Sequence, residues 1–470
     1  MRTELFVGGE WRAGAERFTV FDPATEEPIA EVAGAGLADG RAAVALAQAA
    51  QPAWEATPPR VRGEILRRAH ELMVSRIEPL ATLITRENGK TFADARAEVA
   101  YAAEFLRWYA EEAVRLQGTM QTAPGGGRRI LVTRKAVGVA LLVTPWNFPA
   151  AMATRKIGPA LAAGCAVVLK PAGETPLTAL AIGGLLAEAG VPDGVVNVLP
   201  TRRSAELVSA MLDDPRVRKL SFTGSTEVGR MLLAQAARTV VNCSMELGGN
   251  APFIVFADAD LDAALEGAML AKMRNGGEAC TAANRFLVQE PVAEEFAARL
   301  ATAMSELRLG PGLAPDSQVG PLVNADTRDK VAALVESSAG TVLTGGRVPR
   351  RRGHYYEPTV LSGVEPGDAV LGEEIFGPVA PVVTFATTDE AVAMANDTEY
   401  GLVSYVYTGD LAHGLRVCER LESGMAGLNQ GLVSDPAAPF GGVKQSGIGR
   451  EGGHDGLLEF TESQYIAVAW

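Results

Sequence analysis

Histidine and cysteine are both scarce in this 470-residue chain, four of each. His70, His354, His413 and His454 stand far apart, which argues against a His-rich zinc centre and leaves few candidates for a Ser-His-Asp triad. No metal site is expected. Cys165, Cys243, Cys280 and Cys418 are scattered, with no CxxC pair, so reduced thiols in a cytoplasm are expected rather than a disulfide framework. Long apolar runs are missing as well. Runs such as VGVALLV from Val137 have the length of a strand, against the roughly 18 residues of a membrane span. The N-terminal MRTELFVGGEW has no apolar segment of the secretory kind. Positive charge is in deficit, with 43 Lys+Arg against 56 Asp+Glu and a formal net charge of −13. No nucleic-acid partner is therefore expected, and an anionic substrate would need local arginines to overcome the chain's own field.

What is present is ordinary globular material, 47% hydrophobic and 21% charged, ample for two or three domains with large cores. From Leu37 to about Gln117, apolar residues recur at three- and four-residue spacing, which predicts helices. From Val137 short apolar runs alternate with helical stretches. VGVALLVTP, CAVVLKP, VVNVLP, KLSFTG and VVNCSMEL read as buried parallel strands of a doubly wound α/β sheet. A second α/β series starts at APFIVF. The extended pieces TAPGGGRRILVTRK and GLLEFTESQYIAVAW lie outside both series and read as edge strands or as strands of an inter-subunit sheet.

Four short segments carry candidate chemistry. Cys280, in NGGEACTAANRF, follows a Gly-rich turn in a polar setting, where a thiol is reachable and backbone N–H groups favour its thiolate. The other three cysteines read as small buried hydrophobes. Glu246, in MELGGN, ends a strand; such a carboxylate is usually a cap or surface group, and serves as a base when an apolar pocket raises its pKa. Asn147, in PWNFP, is either a turn-closing amide or a preorganised oxyanion donor on a backbone stiffened by prolines and aromatics. In FTGSTEVG, Gly224 and Ser225 leave backbone N–H groups open for a pyrophosphate at a helix start, although the GxGxxG fingerprint is absent.

Taken in order, PWNFP, LKPA, FTGSTEVG, MELGGN, the loop to Cys280, EEIFGP and PFGGVKQSGIGRE resemble the signatures of the aldehyde dehydrogenase superfamily, from about Phe6 to Trp470. The resemblance implies that Cys280 is the nucleophile, Glu246 the general base and Asn147 the oxyanion donor. It also implies an NAD(P) cofactor. Thr144, Pro145 and Trp146 would line its cleft, Lys170 would bond the adenine ribose, and Glu374 and Phe376 would hold the nicotinamide ribose and ring. The implied fold has two doubly wound α/β domains and a small β oligomerisation domain. A dinucleotide-binding domain would span 1–120 and 138–250, and a catalytic domain 251–427. An oligomerisation sheet would take 121–137 and 456–470, with 428–455 returning to the cofactor domain. A homodimer or homotetramer follows by resemblance.

Within the superfamily the chain is most similar to succinate-semialdehyde dehydrogenases. Arg155, Arg274 and Ser434 match the residues that grip the substrate's distal carboxylate there, through charge-assisted hydrogen bonds. There are departures. Ala282 stands where many relatives have a second cysteine, so a disulfide switch is not expected. Glu278 replaces the usual Gln and either raises the thiol's pKa or points to solvent. Gly173 stands where NAD-preferring relatives often place a Glu; with Arg202 and Arg203 nearby it tilts the cofactor toward NADP, although Glu174 opposes this. The alternatives are a dehydrogenase of another semialdehyde or of uncharged aldehydes, a coenzyme A-acylating relative, and a non-catalytic relative.

Overall fold

The structure is a computed structural model describing residues 1–469. Trp470, the end of the 456–470 segment, lies outside the described residues. The five runs read as parallel strands form the centre of an eight-stranded sheet. Its order is Gly447–Ile448, Asn242–Glu246, Val217–Thr223, Val139–Val143, Ala166–Lys170, Val196–Val198, Leu5–Val7 and Glu10–Arg12. The five inner strands are parallel, and the flanking strands Leu5–Val7 and Gly447–Ile448 run antiparallel to them. Every residue of Val139–Val143 is buried, because alternate side chains enter two different cores. Ala140 and Leu142 face one layer of helices, and Val139, Leu141 and Val143 the other.

Val139–Val143 comes first in the chain among the parallel strands and lies in their middle. The chain winds outward on one side, then crosses back to Val217–Thr223 on the other. The switch point therefore falls between Val143 and Thr223, and the carboxyl ends of these strands flank the crevice where such sheets bind ligands. The second sheet has seven strands, with Ala251–Val255 between Ala283–Gln289 and Val403–Tyr407; six are parallel, and Thr341–Thr344 is an antiparallel edge. A separate three-stranded antiparallel sheet joins Thr461–Val468, Arg129–Ala136 and Thr119–Thr122. Met120 and Tyr465 stand exposed on it. The hairpin Glu16–Phe21/Pro28–Gly34 was not read from the sequence, since its mostly solvated strands lack an apolar run. No helix among the described residues is long and apolar enough to cross a membrane.

One helix matters directly for the site. Leu261–Met273 leads into a tight stretch where Asn275, Gly276 and Gly277 all have left-handed backbone (φ 54, 61 and 81°). A side chain at Gly277 would overlap the carbonyl oxygen of Gly377, so this turn demands glycine for space as well as conformation. Just before the turn, Lys272 is fully buried and donates to Asn284 Oδ1 (3.0 Å), whose amide reaches the Gly249 carbonyl (3.4 Å). Burial holds the Lys272 ammonium down to about 7. The folded chain thus binds this proton less readily than the unfolded chain, and the resulting penalty is present at pH 7 and fades as pH rises toward the ordinary lysine range. Lys272→Met is expected to stabilise the protein at pH 7 by a few kcal/mol on the order of the linkage term, with the difference from wild type shrinking by pH 10. Denaturant melts at both pH values check this, and a pH-independent difference would refute it.

Candidate active site

Cys280 is half-buried where the two sheets meet, in a cavity of about 230 Å³ that also touches Trp146, Asn147, Gly224, Leu247, Glu374 and Phe376. Its sulfur receives no hydrogen bond among the described residues, contrary to the expectation of N–H groups poised to stabilise a thiolate. Burial pushes the thiol up to about 12, Arg155 draws it down, Glu374 and Glu246 add to the rise, and Arg274 draws it down. The free enzyme therefore rests as a thiol. Neither expectation for Glu278 holds. Its carboxyl is buried, accepts from the Val323 N–H (3.0 Å) and is pushed up to about 8 by burial, which leaves it mostly neutral near pH 7.

Asn147 follows the central strand, and its Nδ2 donates to the Glu278 carbonyl (3.1 Å), which ties it to the Cys280 loop. Its second amide hydrogen remains available to an oxyanion. Glu246 ends the strand beside Thr223, and both its carboxylate oxygens are buried without a partner. Burial, then the Glu451 charge, raises its pKa well above the usual carboxylate range. Behind it lies an arrangement that the sequence reading missed. Lys156 Nζ, fully buried, bonds Glu451 Oε1 (2.5 Å) and Ser221 Oγ (2.9 Å). The one available signal was the polar Arg-Lys pair inside the otherwise apolar helix Pro149–Ala163.

The residues implied for the cofactor converge on the crevice. Thr144 and Pro145 follow the central strand, and Trp146 packs edge-on against Phe376 (5.3 Å, 90°). Glu374 Oε1 accepts from the Gly249 N–H (3.1 Å), and burial pushes its carboxyl up to about 7. Lys170 Nζ reaches Ser204 Oγ (3.1 Å), and burial, partly offset by Glu174, brings it down to about 8. One expectation is corrected in part: the Gly224 N–H is already used by the Glu246 carbonyl (3.1 Å), whereas the Ser225 N–H meets no acceptor among the described residues while its hydroxyl caps the helix by accepting from the Val228 N–H (3.4 Å). The open donors at this helix start are the Ser225 N–H and the uncapped first-turn N–H groups of helix Thr226–Ala236. The glycines fit a closely approaching dinucleotide. A side chain on Gly224 would lie 2.5 Å from the Phe222 ring, and one on Gly248 2.9 Å from Glu374 and Tyr400. Thr223 Oγ1 lines the same cavity, buried and unpartnered. At the far end Arg202 pairs with Glu174 (3.0 Å) beside Gly173, whereas Arg203 is held by Glu16 and Glu206 (both 3.4 Å).

Arg155, Ser434 and Arg274 are brought together by a residue that the sequence reading passed over. Tyr101, on helix Phe92–Glu112, places its hydroxyl 2.5 Å from Ser434 Oγ and 2.5 Å from Arg155 Nη2, which also lies 3.3 Å from Ser434 Oγ. Arg155 stacks on Phe440 (4.1 Å), and its Nε and Nη1 are buried without a hydrogen-bond partner; Nη1 sits 3.6 Å from Glu451. Burial works against its charge, but Tyr101, Glu451 and Cys280 outweigh it and keep it protonated. Arg274 lies over the rings of Phe148 (4.8 Å) and Tyr101 (5.7 Å) and forms no ion pair among the described residues.

This geometry has counterparts among known proteins. The succinate-semialdehyde dehydrogenase of Paenarthrobacter nicotinovorans is 56% identical over 444 residues, 94% of this chain and 99% of that protein. The glutarate-semialdehyde dehydrogenase of Pseudomonas putida is 46% identical, covering 100% of this chain and 98% of its own. The crystal structure of succinate-semialdehyde dehydrogenase from Burkholderia pseudomallei superposes with a TM-score of 0.98 at 47% identity, over 100% of this chain and 98% of that one. The sequence profile of the aldehyde dehydrogenase family matches residues 11–466, and this chain, an α/β enzyme of that architecture, belongs to the aldehyde dehydrogenase family.

Proposed function

We propose that the protein oxidises succinate semialdehyde to succinate with NADP or NAD, through a thioester on Cys280. The observation that carries the substrate assignment is the convergence of Tyr101, Ser434 and the Arg155 guanidinium, with Arg274 over the same tyrosine ring and in no ion pair among the described residues. In a chain of net charge −13, two cations left without full acid partners constitute a receptor for an anion. The close relatives named for succinate and glutarate semialdehydes support the same reading.

In this mechanism Glu246 takes the proton of the Cys280 thiol and the sulfur bonds to the aldehyde carbon. The second hydrogen of Asn147 Nδ2 and the Cys280 N–H hold the developing oxyanion. The dinucleotide, when bound, supplies a hydride acceptor. Loss of hydride to that acceptor would leave the acyl group on the Cys280 sulfur. Glu246 takes a proton from water, the oxygen attacks the acyl carbon, and the carbon–sulfur bond breaks to release the carboxylate. The raised pKa of Glu246 suits a base that must also give its proton up again, and the Glu451 carboxylate, ion-paired with Lys156, stands behind it to receive one. Retention of Glu246 favours hydrolysis over acyl transfer to coenzyme A.

The eight-stranded sheet, 1–120 with 138–250, is the proposed dinucleotide domain and 251–427 the proposed catalytic domain, while 428–455 returns the chain to the first sheet. The small sheet of Thr119–Thr122, Arg129–Ala136 and Thr461–Val468, which reaches two residues before the expected 121–137 and falls within 456–470, with Met120 and Tyr465 exposed, is the proposed surface of a homodimer or homotetramer. Four free thiols fit a cytoplasmic enzyme. NADP is favoured over NAD because Arg202 lies against Gly173, which carries no carboxylate, and Lys170 reaches Ser204 at the end of the same loop after Val196–Val198.

Three measurements test this reading. Wild-type kcat/KM is expected to favour succinic semialdehyde over butanal, which has the same carbon count, by on the order of a hundredfold, at about 1.5–3 kcal/mol per charged hydrogen bond. Arg155→Met and Arg274→Met should erase that preference, and Tyr101→Phe should reduce it about tenfold. Equal wild-type rates on the two aldehydes would remove the carboxylate grip. Alkylation of Cys280 by iodoacetamide should accelerate about tenfold per pH unit from pH 7 to 9.5, since the raised thiol pKa keeps the thiolate a minor species throughout; a plateau below pH 8.5 would contradict this. Arg202→Gln should lower kcat/KM with NADP at least fivefold and leave NAD unchanged, and an equal fall with both would end the phosphate assignment.

A further inference from the structure

We propose that the ion pair of Lys90 and Glu98 is the positioning element of the oxyanion site: it fixes the backbone that carries Asn147 relative to the Cys280 loop. This rests on reading Asn147 as the oxyanion donor. Both side chains are fully buried, with Lys90 Nζ 2.6 Å from Glu98 Oε2 and 2.6 Å from the Asn147 carbonyl oxygen. Lys90 Nζ also lies 4.2 Å from the centre of the Phe148 ring. The other oxygen of Glu98 accepts from the N–H groups of Ala150 (2.8 Å) and Ala151 (3.3 Å), which open helix Pro149–Ala163. One buried pair therefore grips residues 147 to 151 at a carbonyl, a ring and two amides. Glu98 also satisfies orphan donors at the positive end of the helix, where a carboxylate is favoured.

The same carbonyl links to the nucleophile. Asn275 Nδ2, from the left-handed turn before Cys280, donates to the Asn147 carbonyl (2.9 Å) and to the Glu278 carbonyl (3.0 Å), and Asn147 Nδ2 meets that Glu278 oxygen at 3.1 Å. Lys90, from the loop between helices Ile77–Asn88 and Phe92–Glu112, and Asn275, from the turn before Cys280, hold one oxygen. The direction of the Asn147 amide is thereby set against a point two residues from the sulfur. Stability alone does not call for such a pair, because a buried ion pair is often replaced by apolar groups of similar volume without loss. A hydrophobic pair, however, would not orient a carbonyl. Displacement of the donor by a fraction of an ångström is enough to slow an acyl-transfer step.

The test uses Lys90→Met and Glu98→Gln in the full-length enzyme, alone and combined with Asn147→Ala. Glu98→Gln preserves shape and an acceptor for Ala150 while turning an NH2 group toward Lys90. Each single variant is expected to lower the single-turnover rate of hydride formation at least tenfold, with KM for the aldehyde within threefold of wild type and Cys280 alkylation unchanged. In the Asn147→Ala background neither should lower the rate more than a further twofold. Wild-type hydride formation in both singles, or losses that multiply with Asn147→Ala, would overturn the proposal. Should Lys90→Met fail to fold, Glu98→Gln carries the same cycle. An Asn147→Ala enzyme with undiminished hydride formation would instead overturn the oxyanion reading itself.

Discussion

Desolvation is the constraint on which the rest of the cleft depends. Cys280, Glu246, Glu278 and Glu374 all have their proton affinities raised, and in each case burial is the largest cause. The acids around the nucleophile are thereby held toward their neutral forms, although the chain as a whole carries a net charge of −13. Removing water raises the cost of every unpaired charge and strengthens every paired one. The cleft therefore has room for one kind of incoming charge. With its carboxyls discouraged from ionising and two guanidiniums beside them, that charge is negative.

The chemistry is divided between the two sheets. Asn147 follows one strand of the first and Glu246 ends another, whereas Cys280 precedes the second sheet's Ala283–Gln289. Their relative position depends on close backbone approach across the junction. A side chain on Gly249 would overlap the Cys280 carbonyl, and Asn284, held by Lys272, reaches back to the Gly249 carbonyl. A pair of rigid parallel sheets joined by such contacts suits a site in which distances of 3 Å must persist through two successive transition states.

The parts legible in the sequence were those whose signal is local. Continuous apolar runs marked all five central strands, because a sheet covered on both faces needs apolar side chains in both directions. PWNFP and MELGGN stood out because strand ends with Pro or Gly interrupt those runs. Tyr101, Lys156, Glu451, Lys90 and Glu98 were not legible as site residues. Each sits on a helix or loop whose spacing explains it as a surface or core position, and its meaning arises from partners 8 to 333 residues away in the chain. The Gly224 N–H was misjudged for a related reason: its acceptor, the Glu246 carbonyl, belongs to the neighbouring strand. Electrostatics were the least legible, since the rise of Cys280 depends on how much water the fold removes from it, and no sequence pattern records that.

The position of Arg155 joins specificity to reactivity on the proposed reading. Among the neighbours of Cys280 it does most to lower the thiol's pKa, and it is also the centre of the proposed carboxylate grip. A substrate anion and a thiolate thus compete for one cation, and neutralising it with a carboxylate would make the nucleophile harder to ionise. A grip built on Arg155 alone would trade affinity for reactivity. Arg274 relieves the conflict. It also lowers the Cys280 pKa, and it lies over the rings of Tyr101 and Phe148 with no ion pair among the described residues. With two cations for two anions, the pocket keeps positive charge beside the sulfur after the substrate's carboxylate has arrived.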